Sequence, residues 1–269
     1  GQDVVAGSAT GSGKTLAFGA GMIKNVKKGE GIQGLILTPT RELAEQVAEA
    51  LREFSYYKEL EVVPVYGGVS IGHQKKKLVY ADIVVATPGR LLDHLRQNAV
   101  DLRKVDYLVL DEADRMWDMG FKKDVGSIVK ACPKNRQTLL FSATIDRELA
   151  DFSDKYMKKP VEISVESYVD TSKLKQIYYD VRDGEKFSLL VHLLKTDSGK
   201  LSMVFCNTRR NSDFVANNLK LNGVKARAIH GGMDQKKRMK VLKEFSEGVM
   251  KVVVCTDVAA RGIDVSGVS

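Results

Sequence analysis

The first residues of the chain contain the sequence Ser8-Ala9-Thr10-Gly11-Ser12-Gly13-Lys14-Thr15, which follows a short apolar run and opens a helical one. Glycines let successive backbone N–H groups face one anion, and the N-terminus of the following helix adds its positive dipole. In this setting Lys14 reaches the β- and γ-phosphates of a nucleotide, and the Thr15 hydroxyl binds Mg²⁺. The strict pattern has glycine where this chain has Ser8, and a glycine-rich turn without a ligand is the alternative. The stretch predicts a phosphate-binding loop.

A second candidate site stands at the end of the apolar run Leu108-Val109-Leu110, in the sequence Asp111-Glu112-Ala113-Asp114. Doubly wound sheets hold their ligands at the carboxyl ends of strands, where the Mg²⁺ of a nucleotide needs an oxygen ligand. Asp111 fits the metal, and Glu112 fits the base that orients an attacking water. A solvated helix start is the alternative. The phosphate loop upstream in the same predicted sheet favours a nucleotide site.

Short β-rich runs alternate with longer stretches of helical periodicity in the first part of the chain. The runs lie at residues 4–5, 34–38, 62–66, 83–87, 107–110 and 138–141, and one helix is predicted over 41–57. This alternation predicts an α/β fold with a mostly parallel sheet that helices cover on both faces. The pattern loosens after Pro160, so we predict a first domain over 1–160 and a linker over 161–173.

The same alternation returns in residues 174–269. Strands are predicted at 176–181, 203–206, 226–229 and 252–255, and helices at 186–195, 209–221 and 235–245. A mean sheet has about 5 to 6 strands, so we expect the second α/β domain to be truncated.

Composition excludes several classes of protein. Hydrophobic residues make up 43% of the 269 and charged residues 28%, which is ordinary for a globular protein. No run approaches the ~18 apolar residues of a membrane span, and the first residues do not form a secretory signal. The three cysteines are far apart and odd in number, which argues against a disulfide framework or a zinc site. We therefore expect an intracellular protein, cytoplasmic or nuclear, whose net charge of +8 is compatible with a polyanionic partner.

Nine short motifs, in order along essentially the whole chain, resemble those of the DEAD-box RNA helicases of helicase superfamily two. They are Ala9 to Thr15, Pro39 to Ala44, Gly67-Gly68, Thr87 to Arg90, Asp111 to Asp114, Ser142 to Thr144, Val204 to Thr208, His230-Gly231 with Gln235 and Arg238, and Thr256 to Asp264. The resemblance implies two tandem RecA-like parallel-sheet domains of the P-loop NTPase type, the second truncated. The family's adenine-reading Gln motif and its closing arginine motif are not in this sequence. We therefore expect a fragment with impaired turnover.

The resemblance also implies roles in ATP hydrolysis with Mg²⁺. The residues Ser8, Ala9, Thr10, Gly11, Ser12, Gly13, Lys14 and Thr15 would bind the nucleotide, with Thr15 and Asp111 on the metal and Glu112 as the base. Ser142 and Thr144 would couple hydrolysis to strand separation by bonding the acidic motif; capping of a helix that starts near Asp146 is the alternative. Arg261 would close onto the ATP site and Asp264 would reach the ribose hydroxyl, whereas a solvated helix-end pair is the competing interpretation.

RNA contacts in this family go to sugar and phosphate, so the implied residues are small or basic rather than base-reading. They are Arg41, Gly68, Thr87, Gly89 and Arg90 on the first domain, and Thr208, His230, Gly231, Gln235, Arg238 and Thr256 on the second. A good turn at Thr87-Pro88-Gly89 and a helix-start role for Arg41 are the alternatives.

The implied function is that of a monomeric ATP-dependent RNA helicase. It would bind single-stranded RNA or short duplexes without sequence preference and couple ATP hydrolysis to local unwinding or ribonucleoprotein remodelling. One alternative is an ATP-gated RNA clamp or assembly scaffold with little turnover. Another is a DNA-directed relative, although Asp114 and the Ser-Ala-Thr triplet favour RNA.

Overall fold

A computed structural model describes residues 1–7, 13–164, 175–197, 199–260 and Val268. The chain divides into two compact units, Gly1–Tyr168 and Val169–Ser269. Within the described residues, no helix is both long and apolar enough to cross a membrane.

The first unit is built on one parallel sheet whose seven strands are ordered β3-β4-β2-β5-β6-β1-β7. The strands are β1 Val4–Gly7, β2 Gly34–Leu37, β3 Val62–Val65, β4 Ile83–Ala86, β5 Tyr107–Leu110, β6 Gln137–Ser142 and β7 Val161–Ser164. Within the described residues, neighbouring strands of this sheet all pair in parallel. The carboxyl ends of the strands therefore meet at one edge of the sheet.

Helices cover both faces of this sheet. They are α1 Lys14–Asn25, α2 Arg41–Phe54, α3 Ile71–Leu78, α4 Pro88–Arg96, α5 Ala113–Asp118, α6 Lys122–Ala131 and α7 Arg147–Tyr156. Side chains of β2 alternate between two cores, because Leu35 and Leu37 pack in one and Ile36 in the other. The continuously apolar strands thus lie between two layers of helices, as the sequence predicts.

The second unit contains a three-stranded parallel sheet of order β8-β10-β9. Its strands are β8 Ser202–Phe205, β9 Ala226–Ile229 and β10 Val252–Cys255, and its helices are α8 Lys186–Thr196, α9 Arg209–Leu221, α10 Gln235–Ser246 and α11 Asp257–Ala260. Two small cores flank the sheet, one with Val254 and one with Val253. The prediction of two tandem parallel α/β domains is confirmed.

Two predictions near the junction of the two units are wrong: where the linker begins, and a strand at 176–181. Residues 161–164, predicted to begin the linker, form β7 and pair with β1. The strand is at the sheet edge, where Val161 and Ile163 remain 39% and 49% exposed, so its apolar signal is weak. The rest of the linker, 165–173, lies outside the described residues. The predicted strand at 176–181 has no regular secondary structure, and Tyr178 is 91% exposed; alternation alone does not supply the hydrogen-bonded neighbour that a strand needs.

Candidate active site

The carboxyl edge of the first sheet carries the predicted nucleotide and RNA groups on separate sets of neighbouring strands. The nucleotide groups follow β5, β6 and β1, which are adjacent in the sheet, and the RNA groups follow β3, β4 and β2, which are also adjacent. The two sets meet where β2 pairs with β5. The order of the strands, which the sequence does not reveal, therefore places the residues predicted for nucleotide and those predicted for RNA on different halves of the sheet edge.

The start of α1 is shaped for an anion. Gly13 has φ 82° and ψ 16°, a left-handed conformation that favours glycine, and it turns the chain into the helix. It has no side chain with which to cap the helix, and the first turn begins Lys14-Thr15 without an acidic residue. The N–H groups of this turn thus suit phosphate oxygens. Ser8, Ala9, Thr10, Gly11 and Ser12 lie outside the described residues.

Lys14 and Asp111 form a buried ion pair. The Nζ atom lies 3.3 Å from Oδ1, and the two side chains are only 10% and 3% exposed. The same Oδ1 accepts a hydrogen bond from the Glu112 backbone N–H at 3.0 Å. Burial raises the pKa of Asp111, while Lys14 opposes that rise. The residues predicted for phosphate and for metal are thus in contact.

Glu112 combines burial with an unusual backbone. Its φ and ψ are 51° and 52°, which is a left-handed conformation that costs free energy in a residue with a side chain. Its Oε2 atom is buried and accepts no hydrogen bond from the described residues, and the nearest cationic atom is Arg115 Nε at 3.7 Å. Burial, and then the charge of Asp111, raise the pKa of Glu112. Because Asp111 and Glu112 are both buried, the solvated helix start is the wrong interpretation.

Ser142 and Thr144 contact the acidic motif through Asp114. The Asp114 backbone N–H donates to Ser142 Oγ at 3.2 Å, and the Thr144 N–H and Oγ1 donate to Asp114 Oδ2 at 3.2 and 3.1 Å. The alternative capping role is not seen, because α7 is capped by Asp146, whose side chain accepts from Leu149 N. The loop after β6 is therefore tied to the loop after β5.

Arg41 lies across Gly67-Gly68, the glycine pair that follows β3. It begins α2, which Thr40 caps by accepting from Leu43 N at 3.3 Å. A Cβ on Gly68 would overlap the Arg41 guanidinium, and Gly68 itself has φ 85°. The backbone conformation thus favours glycine there, and a larger residue would also displace the Arg41 side chain.

Thr87 to Arg90 form the start of α4 rather than an isolated turn. Pro88 is the first helical residue, and the Thr87 side chain makes no capping bond in the described part of the chain. Apart from its own stretch of helix, no described atom lies within 4 Å of a Cβ built on Gly89. Arg90 Nη1 donates to Val69 O at 2.8 Å and to Gln74 Oε1 at 3.0 Å.

The predicted residues of the second unit also follow its strands. Thr208, after β8, caps α9 by accepting from Asn211 N at 3.1 Å. His230, after β9, accepts from Gly232 N at Nδ1, so its hydrogen is on Nε2, which lies 3.0 Å from Asp213 Oδ1. Gly231 lies between the two residues that the Nδ1 bond joins, and Thr256 follows β10.

Gln235 and Arg238 lie inside the second unit rather than on its surface. Both are buried, and Arg238 Nη2 donates to Ala259 O at 2.8 Å. The Arg238 contact with the α11 segment is structural, and the RNA role of both residues stays a prediction. Arg261 and Asp264 lie outside the described residues.

The sequence interpretation missed Arg209, at the start of α9. Its guanidinium would meet a Cβ on Gly231 at 3.3 Å, much as Arg41 lies over the glycine pair of the first unit. The available signal was the repeat of Thr40-Arg41 as Thr208-Arg209, each at a helix start and each followed by two glycines after the next strand.

Comparisons with known proteins identify the family. The sequence model described as DEAD/DEAH box helicase matches residues 1–152, and that described as helicase conserved C-terminal domain matches residues 185–269. The DEAD-box ATP-dependent RNA helicase CshA of Bacillus subtilis (strain 168) is 42% identical over 271 residues, covering 100% of this chain and 55% of CshA. CshA of Listeria monocytogenes is 44% identical over 272 residues, covering 100% and 52%. The chain thus spans about half the length of the curated relatives it matches.

Solved structures lead to the same family. A DEAD box protein from the hyperthermophile Methanococcus jannaschii is 42% identical with a TM-score of 0.61, over 100% of this chain and 73% of that one. Dbp5 of S. cerevisiae bound to RNA and ADP BeF3 is 30% identical with a TM-score of 0.88, over 100% and 69%. The resemblance inferred from the motifs is confirmed, and the chain belongs to the DEAD/DEAH box helicase family.

Proposed function

We propose that this chain is the ATP- and RNA-binding part of an ATP-dependent RNA helicase that couples hydrolysis to local unwinding or ribonucleoprotein remodelling. The observation that carries the proposal is the buried cluster of Lys14, Asp111 and Glu112, bonded onward through Asp114 to Ser142 and Thr144. Relatives named ATP-dependent RNA helicases, and the Dbp5 structure with RNA and ADP BeF3, support it. A monomer that works inside the cell is the form we expect.

The phosphate groups of ATP would bind at the start of α1. Lys14 exchanges Asp111 for phosphate oxygens, and the first-turn N–H groups of the helix complete their coordination. Because Lys14 is mostly buried, its charge acts at low dielectric and stabilises negative charge on the phosphates more strongly than in water.

Thr15 and Asp111 would hold Mg²⁺. The donor set suits a hard cation, because the Asp111 carboxylate is buried against a cationic group and the neighbouring Glu112 Oε2 lacks a hydrogen bond within the described residues. When bound, Mg²⁺ supplies positive charge to the phosphates.

Glu112 acts as the general base. Its Oε2 is available to accept a proton from water, and its raised pKa makes the carboxylate a stronger proton acceptor than an exposed one. The costly backbone conformation at Glu112 holds the carboxylate beside Asp111 instead of letting it turn outward.

Asp114 links this chemistry to the next loop. Its two carboxylate oxygens have different partners, the Arg115 N–H on Oδ1 and Thr144 on Oδ2. A change at the acidic motif is therefore transmitted to the loop after β6, whose Ser142 also donates to Thr144 O at 2.6 Å. This connection is our basis for coupling hydrolysis to strand separation.

RNA would cross the other half of the sheet edge. Glycine costs stability in a helix, yet nothing outside α4 fills the space beside Gly89 in the described structure. A sugar-phosphate backbone that approaches the start of α4 explains the open space, with Arg41 and Arg90 supplying positive charge.

The test uses the full-length protein that contains this chain and measures ATP hydrolysis and release of a strand from a short RNA duplex in the same reaction, with Glu112→Gln as the inactive control. A helicase releases the strand over time only with ATP. ATP-dependent RNA retention without release would instead establish the clamp, and preferential stimulation by DNA would establish the DNA-directed alternative.

A further inference from the structure

Gln74 is a buried glutamine in the RNA half of the first unit, and no motif includes it. It lies in α3, is 4% exposed, and bonds three residues that come from other segments. Its Nε2 donates to Tyr66 O at 3.0 Å, and its Oε1 lies 3.0 Å from both Arg90 Nη1 and His94 Nε2.

The neighbours of Gln74 fix the orientation of its amide. The Tyr66 carbonyl can only accept and the Arg90 guanidinium can only donate, so Nε2 must face the first and Oε1 the second. His94 Nε2 then faces an acceptor and must carry the imidazole hydrogen. Burial, and then the charges of Arg90 and Lys75, lower the pKa of His94, which is consistent with a neutral ring.

The same contacts hold Arg90 in one position. Nη1 uses its two hydrogens on Val69 O and Gln74 Oε1, and Nε lies 3.9 Å from Asp93 Oδ2. Nη2 has no partner among the described residues, and the side chain retains 15% exposure. One edge of the guanidinium is thus anchored while Nη2 is left for a ligand.

We propose that Gln74 is the positioning residue that presents Arg90 to an RNA phosphate and fixes the start of α4 relative to the glycine pair after β3. The proposal rests on the proposed function. Tyr66 and Val69 flank that pair, so the bonds of Gln74 and Arg90 join both predicted RNA segments. RNA then meets an arginine that is already ordered, and binding does not have to order it.

A neutral amide suits this task better than a carboxylate. Gln74 Oε1 accepts from Arg90 without neutralising its charge, so the full positive charge faces the phosphate. A glutamate at this position would neutralise Arg90 and would place an oxygen against Tyr66 O.

The experiment is a double-mutant cycle with Gln74→Met and Arg90→Ala, measured as affinity for a single-stranded uridine oligonucleotide. Met keeps the side-chain volume but removes both hydrogen-bonding groups. We expect Gln74→Met to weaken RNA binding about tenfold in the parent and less than twofold when Arg90 is already absent, which is the coupling expected of contacting residues. MgATP affinity should not change.

Gln33→Met is the matched control. Gln33 is also a buried glutamine, 7% exposed, bonded to the backbones of Lys27 and Gly31 at the amino end of β2. Gln33→Met should lower thermal stability about as much as Gln74→Met does, without changing RNA affinity. Equal losses from Gln74→Met in both backgrounds, or an RNA effect from Gln33→Met as large as that from Gln74→Met, would show a merely structural role and overturn the proposal.

The remaining outcomes are also decisive. If Arg90→Ala leaves RNA affinity unchanged, Arg90 does not contact RNA, and the proposal for Gln74 is overturned although RNA binding itself stands. If the parent protein binds no RNA, the proposed function fails. If Gln74→Met does not fold, Gln74→Glu replaces it. Neutralising Arg90 should then lower the slope of log affinity against log salt by about 0.7, the value of one phosphate contact, and an unchanged slope would overturn the proposal.

Discussion

The Lys14 ammonium lies 3.3 Å from Asp111 Oδ1 in a setting where both side chains are nearly buried. Without a partner, either charge would be costly at this position. The ion pair therefore gives each charge a partner at the proposed nucleotide site when no phosphate is present. In the proposed function, nucleotide binding exchanges these partners instead of bringing charge to an apolar site.

Lys14→Ala should abolish nucleotide-dependent behaviour, because it removes the charge that faces the phosphates. We expect MgATP affinity to fall at least about tenfold, since a charge-assisted contact at low dielectric is lost. The measurement is the rise in melting temperature on adding MgATP, which should disappear. Lys24→Ala, in the last turn of α1, is the control and should retain the full rise. A normal rise in Lys14→Ala would refute the phosphate assignment.

Glu112→Gln in a full-length version of the protein should bind ATP and RNA but stall hydrolysis, because the amide keeps the shape of the side chain and cannot accept the proton. Loss of a general base lowers turnover by about 10² to 10⁴. Single-turnover hydrolysis with saturating RNA measures it. Turnover near the parent rate would assign the base role to another group.

The same substitution should raise stability in a pH-dependent manner. The pKa of Glu112 is raised above 4.5 by burial and by Asp111, so the folded state keeps this proton to higher pH than the unfolded state. The ionised carboxylate thus costs stability as pH rises above 4.5 and costs nothing below it, where both states are protonated. We expect Glu112→Gln to melt higher than the parent at neutral pH, with the gap closing below pH 4.5. Glu49→Gln, at an exposed site on α2, is the control for the change of side chain itself.

The fold was predictable where a strand is buried on both faces. Leu35 and Leu108 lie in continuous apolar runs whose burial follows directly from composition. The edge strand β7 was not predictable, because its alternating and half-exposed residues resemble a linker. The order of strands was also inaccessible, because it depends on which strands pair and not on any local pattern.

The clustering of candidate residues was predictable where they belong to one motif, as with Asp111 and Glu112, which lie together and are buried. Gln74 was inaccessible because its proposed role rests on bonds to residues 8, 16 and 20 positions away. A lone glutamine in an amphipathic helix carries no signal of such partners. Arg209 is an intermediate case, since its signal exists only in comparison with Arg41.

Thr144→Val should uncouple hydrolysis from unwinding. It removes the Oγ1 bond to Asp114 while keeping the shape and the backbone N–H bond. We expect ATP hydrolysis to stay within about fivefold of the parent, because loss of one hydrogen bond is worth ~1 kcal/mol or less here, while the number of strands released per ATP falls clearly. Ser127→Ala, which loses an exposed bond to Lys123 O, is the control. Parallel losses of hydrolysis and unwinding would contradict the coupling role.

Gly89→Ala separates stability from RNA binding. Gly89 lies in α4 and a Cβ there meets open space, so alanine should be tolerated and should stabilise the helix by up to about 1 kcal/mol. If RNA backbone occupies that space, the added methyl group must displace it, and RNA affinity should fall severalfold even though the protein melts at a higher temperature.

Gly21→Ala is the matched control for this prediction. Gly21 lies within α1, and a Cβ on it also meets nothing within 4 Å. Both variants should therefore gain stability through the same reduction in unfolded-chain entropy, while only Gly89→Ala weakens RNA binding. Affinity for the same oligonucleotide and melting temperature, measured on both proteins, give the comparison. If Gly89→Ala binds RNA as well as Gly21→Ala does, the nucleic acid does not approach the start of α4, and the open space beside Gly89 needs a different ligand to explain it.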